Sequence, residues 1–427
     1  MNRLPFGLAA TGLVYCIALP LARAADGECA APPPPLLSLA AAEERVARCN
    51  RDVVAARLAV AAAQADLRVA SQRPNPVLTL GASNMNPQAG FGSGSLRDKT
   101  FDSSLRIDQL IERGGKAELR EAQATALLEA ARADIAEQLR SQRLAVRTAF
   151  FDLAAAQERV RLQQEFADLS AQSARASGLR EDKGDVSRVE ANRFRLDAAR
   201  TANDSRQARA DRERARADLA RILGAEAYAS GLEVRVEWPE TESRRQDGDR
   251  PDVAAARLRL QAALAGRELA RLIATRDVTL SAQADHWPTS ETNMQGTGIS
   301  YSLYLSLPLH VRHANEGEAA RAAADFDTAQ AVLLRLQAQA DADAKLAQAD
   351  WEAARERREH VATEVRPLAR DVAAAAEFAY SKGATGVFDL LDARRSLKAV
   401  ELDEVQANGD AAKAWARREA SLERLEP

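Results

Sequence analysis

Along most of this chain apolar residues return every third or fourth position, the period of one helix face. The longest clean example runs through Ala322, Phe326, Ala329, Leu333, Leu336, Ala340, Ala344, Ala347, Trp351 and Ala354. Such a stripe predicts coiled-coil-like packing against neighbouring helices, and its alanines predict close approach of the helix axes. Four short stretches alternate with period two instead: "PVLTLGAS", "FDSSLRIDQL", "DVTLSAQADHW" and "GISYSLYLSLPL". In the last, Ile299, Tyr301, Leu303, Leu305 and Leu307 alternate with Ser300, Ser302, Tyr304 and Ser306. Period two predicts strands with an apolar side and a hydroxyl-rich side. They are placed at about 76–84, 101–110, 277–287 and 298–308. Segments rich in Gly, Asn, Pro and Ser separate the partners, so the four strands form two hairpins.

The remaining elements are helices. An opening helix is expected at 39–72 and again at 251–275, and very long helices at 115–179 and 316–380. Sixty-five residues of helix rise about 97 Å, too long for a compact domain. Each long helix turns at a Gly-containing tip, about 180–187 and 381–387, into a return helix at 187–223 or 387–424. "RDVVAARL" (51–58) lies over "PDVAAARL" (251–258), Thr79-Leu80 over Thr279-Leu280 at the same offset of 200, and Gly184 over Gly383 at 199. Matches sustained at one offset predict a tandem duplication. Its copies are 25–227 and 251–427, joined by a polar connector at 228–250 that holds a short strand around "LEVRVEW". Gly114-Gly115 reads as the joint where a strand swivels into a long helix.

Residues 1–24 have the pattern of a cleaved export signal: Arg3, an apolar run from Leu4 to Leu21, and "ARA" before a cut after Ala24. The net charge is −3; without residues 1–24, which hold two arginines and no acid, it is −5, a balance that argues against a nucleic-acid partner. Charged residues make up 28% and aromatics 4%, a composition of solvated helices more than of a thick core. Tyr15 before Cys16 and Glu28 before Cys29 do not fit lipid attachment. Cys29 and Cys49 are left as an even pair in an oxidising compartment, either bonded to each other or two separate buried thiols.

Alternating segments of about ten residues are the signature of a membrane barrel with lipid outside and water inside. An ordinary half-buried sheet alternates too, but here nearly everything else is long helix and little chain is left for a globular core. Four strands do not close a barrel, since about eight are needed for the smallest. In hydrocarbon an unpaired strand edge costs several kcal/mol per orphaned backbone group. Copies of the chain are therefore expected to share one barrel, with Ser300, Ser302, Tyr304 and Ser306 facing its lumen.

At this point the chain resembles the outer-membrane factor family, the TolC-like exit ducts of tripartite efflux pumps and type I secretion systems. The resemblance is carried by "RPNPVLTL", "QLIERGGKAELREAQA", "RPDVAAARLRLQAA", "LPLHVRHANEGEAARA" and "YSKGATGVFDLLDARRSL", in this order across residues 36–424. It implies a mainly α protein with a small β-barrel part. Four transmembrane strands per protomer would join a twelve-stranded barrel in a homotrimer, above a long periplasmic α-helical barrel. The connector and termini would contribute to an equatorial belt. It also implies an outer-membrane location and partnership with a periplasmic adaptor and an inner-membrane RND transporter. "ERGGKAELR" and "PLHVRHANEGE" look most like the branch serving cobalt, zinc and cadmium efflux, although His310 stands where the family commonly has a large apolar residue. Drug efflux and type I protein secretion are the nearest alternatives. A soluble periplasmic coiled-coil adaptor is an alternative of another class, disfavoured because no lipoyl-like β domain is seen.

No nucleophile elbow, phosphate-cradling loop or Cys/His ligand pattern is present, so no enzyme, cofactor or metal site is expected. His310 and His313, spaced by three without a carboxylate or thiolate framework, read as interfacial or solvated residues. His286 and His360 stand alone. The two tips are expected to dock partners through Gly184, Asp185, Val186, Gly383, Thr385, Val387 and Phe388. Asp371 and Glu377 near them are candidates for acidic rings at a tunnel mouth.

Overall fold

The computed structural model describes residues 29, 31–34, 36–85, 88, 94, 101–239, 248–288 and 298–425. The export signal, the greater part of both hairpin loops and residues 240–247 of the connector lie outside the described residues. The elements, in order, are β1 (Leu36–Leu37), α1 (Leu39–Cys49), α2 (Arg51–Ser71), β2 (Val77–Ser83), β3 (Asp102–Ile111), α3 (Lys116–Asp182) and α4 (Arg188–Ile222). A 3₁₀ turn (Glu226–Gly231) and β4 (Glu233–Val234) follow. Then come α5 (Pro251–Leu272), β5 (Val278–Trp287), β6 (Gly298–Ser306), α6 (Glu316–His360), a π-helical turn (Val361–Val365), α7 (Arg366–Ser381) and α8 (Val387–Leu422). No helix among the described residues is long and apolar enough to cross a membrane.

The chain divides into two compact units that cut across the sequence duplication. One draws on residues up to 53, 142–239 and 355–413; the other on 54–141, 240–354 and 414–427. The second unit holds a four-stranded antiparallel sheet in the order β2-β3-β5-β6. Its buried helix residues are mostly small, Val253, Ala255, Ala256, Ala262, Ala340 and Ala347, together with Trp351. Every residue of the predicted α6 stripe is buried or half-buried.

The first unit is cored by Phe150, Phe151, Leu153, Leu219 and Leu223. Phe150 and Phe151 meet edge to face with ring centres 5.7 Å apart. Gly409 lets α8 approach α3 closely, since a Cβ there would sit 3.3 Å from that of Ala155. The connector strand expected around "LEVRVEW" is short: β4 pairs in parallel with β1, joining Leu36 to Glu233 and Leu37 to Val234. Cys29 and Cys49 are joined in a disulfide. Arg45 ties the same N-terminal arm down by donating to the carbonyls of Cys29, Ala31 and Leu223.

Several helix boundaries differ from the sequence reading; α3, for one, runs on to Asp182, past the expected 179. The opening helix 39–72 is broken at Asn50, whose extended backbone ends α1 while its side-chain oxygen accepts from the N–H groups of Asp52 and Val53 to start α2. The helix expected to run unbroken from 316 to 380 contains the π turn, where Arg366 donates its N–H to Val361 five residues back. Pro367, without an N–H to offer, follows at once. The second opening helix stops at Leu272, short of 275.

Candidate functional site

In the four-stranded sheet, residues directly opposite across a ladder share a face. Leu80 meets Leu105, Leu78 meets Ile107, Ile107 meets Ala282, Leu280 meets Leu305, Ala282 meets Leu303 and Ala284 meets Tyr301. One face is therefore a continuous apolar surface, and it is open to solvent in the isolated chain: Leu80 is 74% exposed, Leu303 80% and Tyr301 81%. The other face pairs Ser281 with Tyr304, Gln283 with Ser302, Asp285 with Ser300 and Thr279 with Ser306. Ser300, Ser302, Tyr304 and Ser306 thus lie on one polar face.

That polar face carries a built network which sequence reasoning missed. Arg106 pairs with Asp108 at 2.7 Å, donates to Ser281 at 3.1 Å and lies over the Tyr304 ring at 5.2 Å. Ser281 is fully buried beneath it. Among the described residues both outer strands, β2 and β6, have an unpaired edge.

At the foot of the strands Gly114 and Gly115 adopt φ of +82° and +77°. The left-handed backbone favours glycine at Gly114, and a Cβ there would also make a tight contact, 3.1 Å, with the Thr275 side chain. Lys116 then locks the joint, bonding the carbonyl of Thr275 at 2.7 Å and both oxygens of Asp277. Burial raises the Asp277 pKa, but the Arg113 N–H and Lys116 outweigh it and hold the carboxyl below its ordinary range. Arg120 holds Glu112 in the same way. His310 is half-buried and His313 exposed; neither belongs to a cluster suited to a metal among the described residues.

The two tips, in the first unit, share one geometry. Gly184 at φ +83° donates to Glu181, and Asp185 to Arg180; Gly383 at φ +71° donates to Tyr380, and Ala384 to Ala379. Each is a Schellman closure, which needs a left-handed residue at that position. Ser187 then caps α4 by accepting from Glu190. Val387, expected to be open to a partner, is instead 6% exposed: it packs with Phe194, Leu390 and Leu391 in the tip's own core. The helix period that turns Val387 inward turns Phe388 outward, where it is 63% exposed. Gly184, Asp185 and Gly383 are exposed, while Val186 and Thr385 are half-buried.

The tips are cross-linked to each other. Tyr380 donates to Glu190 at 3.0 Å, Arg394 binds both Ser173 and Glu377 at 2.9 Å, and Lys398 pairs with Asp204. Burial and the nearby Glu190 push the Tyr380 hydroxyl above its ordinary value. Ser173, Glu377, Tyr380 and Arg394 line a cavity of about 270 Å³. Of the two acidic candidates, Glu377 is committed to Arg394 and Asp371 is exposed.

The model of the outer membrane efflux protein family matches residues 44–225 and 247–422, so the chain belongs to that family. It is 28% identical over 321 residues to the cobalt-zinc-cadmium resistance protein CzcC of Cupriavidus metallidurans, covering 73% of this chain and 75% of that one. Among solved structures it is similar to the outer-membrane channel OprN, with TM-score 0.73 and 23% identity over 90% of this chain and 89% of that one. It is also similar to CusC, with TM-score 0.72 and 16% identity over 90% and 92% of the two chains. Both likenesses speak for the fold: long helices with a small sheet.

Proposed function

We propose that this outer membrane efflux protein is the exit duct of a tripartite pump. Three copies would close a twelve-stranded barrel in the outer membrane above a periplasmic helical tunnel. The duct conducts passively; a periplasmic adaptor and an inner-membrane RND transporter supply cargo and energy. The observation that carries this reading is the open sheet, with two unpaired edges and a bare apolar face. Unpaired edges are costly in hydrocarbon and a bare apolar face is costly in water. Joining the sheets of neighbouring copies edge to edge satisfies the edges, and the lipid around the closed barrel covers the face.

The polar face with Ser300, Ser302, Tyr304 and Ser306 then lines the lumen, and the two tips meet the adaptor, with Phe388 as the exposed apolar contact. Asp371 is left as the acidic candidate at the tunnel mouth. Export uses a signal cleaved after Ala24, and the mature chain is not lipidated. Cargo is assigned to divalent heavy-metal cations, supported by the similarity to CzcC and by "PLHVRHANEGE". A deletion strain tested against zinc, cadmium and a panel of drugs examines this: loss of metal tolerance is expected. Unchanged metal tolerance with new drug sensitivity would move the duct to the drug-efflux branch.

A further inference from the structure

Four segments join the strands to the helices at one end of the sheet: 72–76 before β2, 112–115 after β3, 273–277 before β5 and 307–315 after β6. Each carries an exposed arginine: Arg73, Arg113, Arg276 and Arg312. None of these four guanidinium groups has a hydrogen bond or a close ion pair among the described residues, although the charge of Arg113 acts on Asp277, whose carboxylate its backbone N–H binds. Three nearby carboxylates are already engaged, while Glu118 and Glu318, in the first turns of α3 and α6, have no cationic partner among the described residues. Glu112 is held by Arg120 at 2.6 Å, Asp277 by Lys116 at 2.9 Å, and Glu316 accepts from the N–H of Ala314 at 3.1 Å. Glu118 sits in the first turn of α3, where it offsets the positive end of that helix. The other end of the strands carries carboxylates, Asp102 and Asp285.

Two further features accompany the charge. Leu307, Leu309 and Val311 continue the odd-numbered apolar series of β6 up to Arg312, and the last two are 69% and 83% exposed. Beside Arg73 a cleft of about 560 Å³ opens between residues 73–75 and 109–118, with Lys116, Glu112 and Glu118 in its wall. Planar guanidinium forks match phosphate oxygens in pairs, and the apolar series beside them matches acyl chain.

Resting on the membrane-barrel reading above, we infer that this rim binds the headgroup phosphates of anionic phospholipids of the phosphatidylglycerol class. The lipid chains lie along the apolar sheet face. Cations held near an anionic lipid surface each raise association about fivefold at moderate salt.

Native mass spectrometry of the detergent-purified protein with graded phosphatidylglycerol or phosphatidylcholine tests this. Wild type is expected to retain phosphatidylglycerol preferentially, and R73Q/R113Q/R276Q/R312Q to lose that preference by about tenfold or more. The paired variants R73Q/R276Q and R113Q/R312Q, each expected to lose part of it, cover the case in which the quadruple variant does not assemble. Equal retention of the two lipids by wild type, an undiminished preference in the variants, or displacement by inorganic phosphate at the same concentration would each overturn the inference. If wild type still requires detergent and forms multimers in that result, only the lipid site falls. If it is a detergent-free monomer, the barrel reading falls with it.

Discussion

Arg250 sits at the start of α5 with only 4% of its side chain exposed, gripping both oxygens of Asp252 at 2.7 Å and Asp343 at 2.9 Å. A buried cation satisfied by two carboxylates is costly to break from one side, on the order of 3–5 kcal/mol. R250M should therefore lower the melting temperature of the protein at neutral pH. Burial raises the Asp252 carboxyl, but its bonds to Arg250 outweigh this and leave it below its ordinary value. A carboxylate depressed in the folded state stabilises above its unfolded pKa of about 4 and loses that contribution as pH falls through the folded value. The difference between wild type and R250M should shrink when melts are repeated toward pH 3; a constant gap would rule this account out.

Tip residues separate by the same logic. V387A should destabilise by roughly 2 kcal/mol, because it opens a cavity in a packed cluster. F388D should leave melting and assembly unchanged yet reduce metal tolerance in cells; full tolerance would remove Phe388 from the docking surface. Single-residue roles were the least legible part of the sequence. "GVFD" offers two adjacent apolar side chains, and only the phase of α8 decides which one faces Phe194. Likewise Asn50 has the chemistry of a cap, but the alanine pattern runs through it on both sides.

At the scale of elements the strands were the most legible part. Period-two alternation sets which residues share a face, and the observed ladders keep that segregation through the middle of the sheet; it breaks near the helix-joined end, where Gln109 meets Leu280 and Leu110 meets Thr279. The long helices were readable from their 3.6 period. The π turn was not, because a shift to i→i−5 bonding leaves the apolar stripe intact and only Pro367 hints at it. β1 and β4, two residues each, are too short to show any period. The two sheet faces make opposite predictions. L303R places a charge on the apolar face and should cost about 2–4 kcal/mol in lipid, whereas S302R on the polar face should cost little. Urea unfolding in lipid vesicles measures both; equal costs would mean that the faces do not divide lipid from water.

For the whole molecule the decisive property is what one chain lacks. Its sheet has four strands and two bare edges, and its apolar face has no cover among the described residues of the same chain. The family match and the fold likenesses agree with an outer-membrane channel built from such parts. Assembly was legible in the sequence only as arithmetic: the count of strands leads to the expectation that copies share a barrel, while the number three is what the resemblance implies. The most direct test is the mass of the purified mature protein by light scattering in detergent, with and without heating. A detergent-dependent particle of three chains that heat separates into single chains is the predicted result. A single chain that stays dispersed in plain buffer would contradict it.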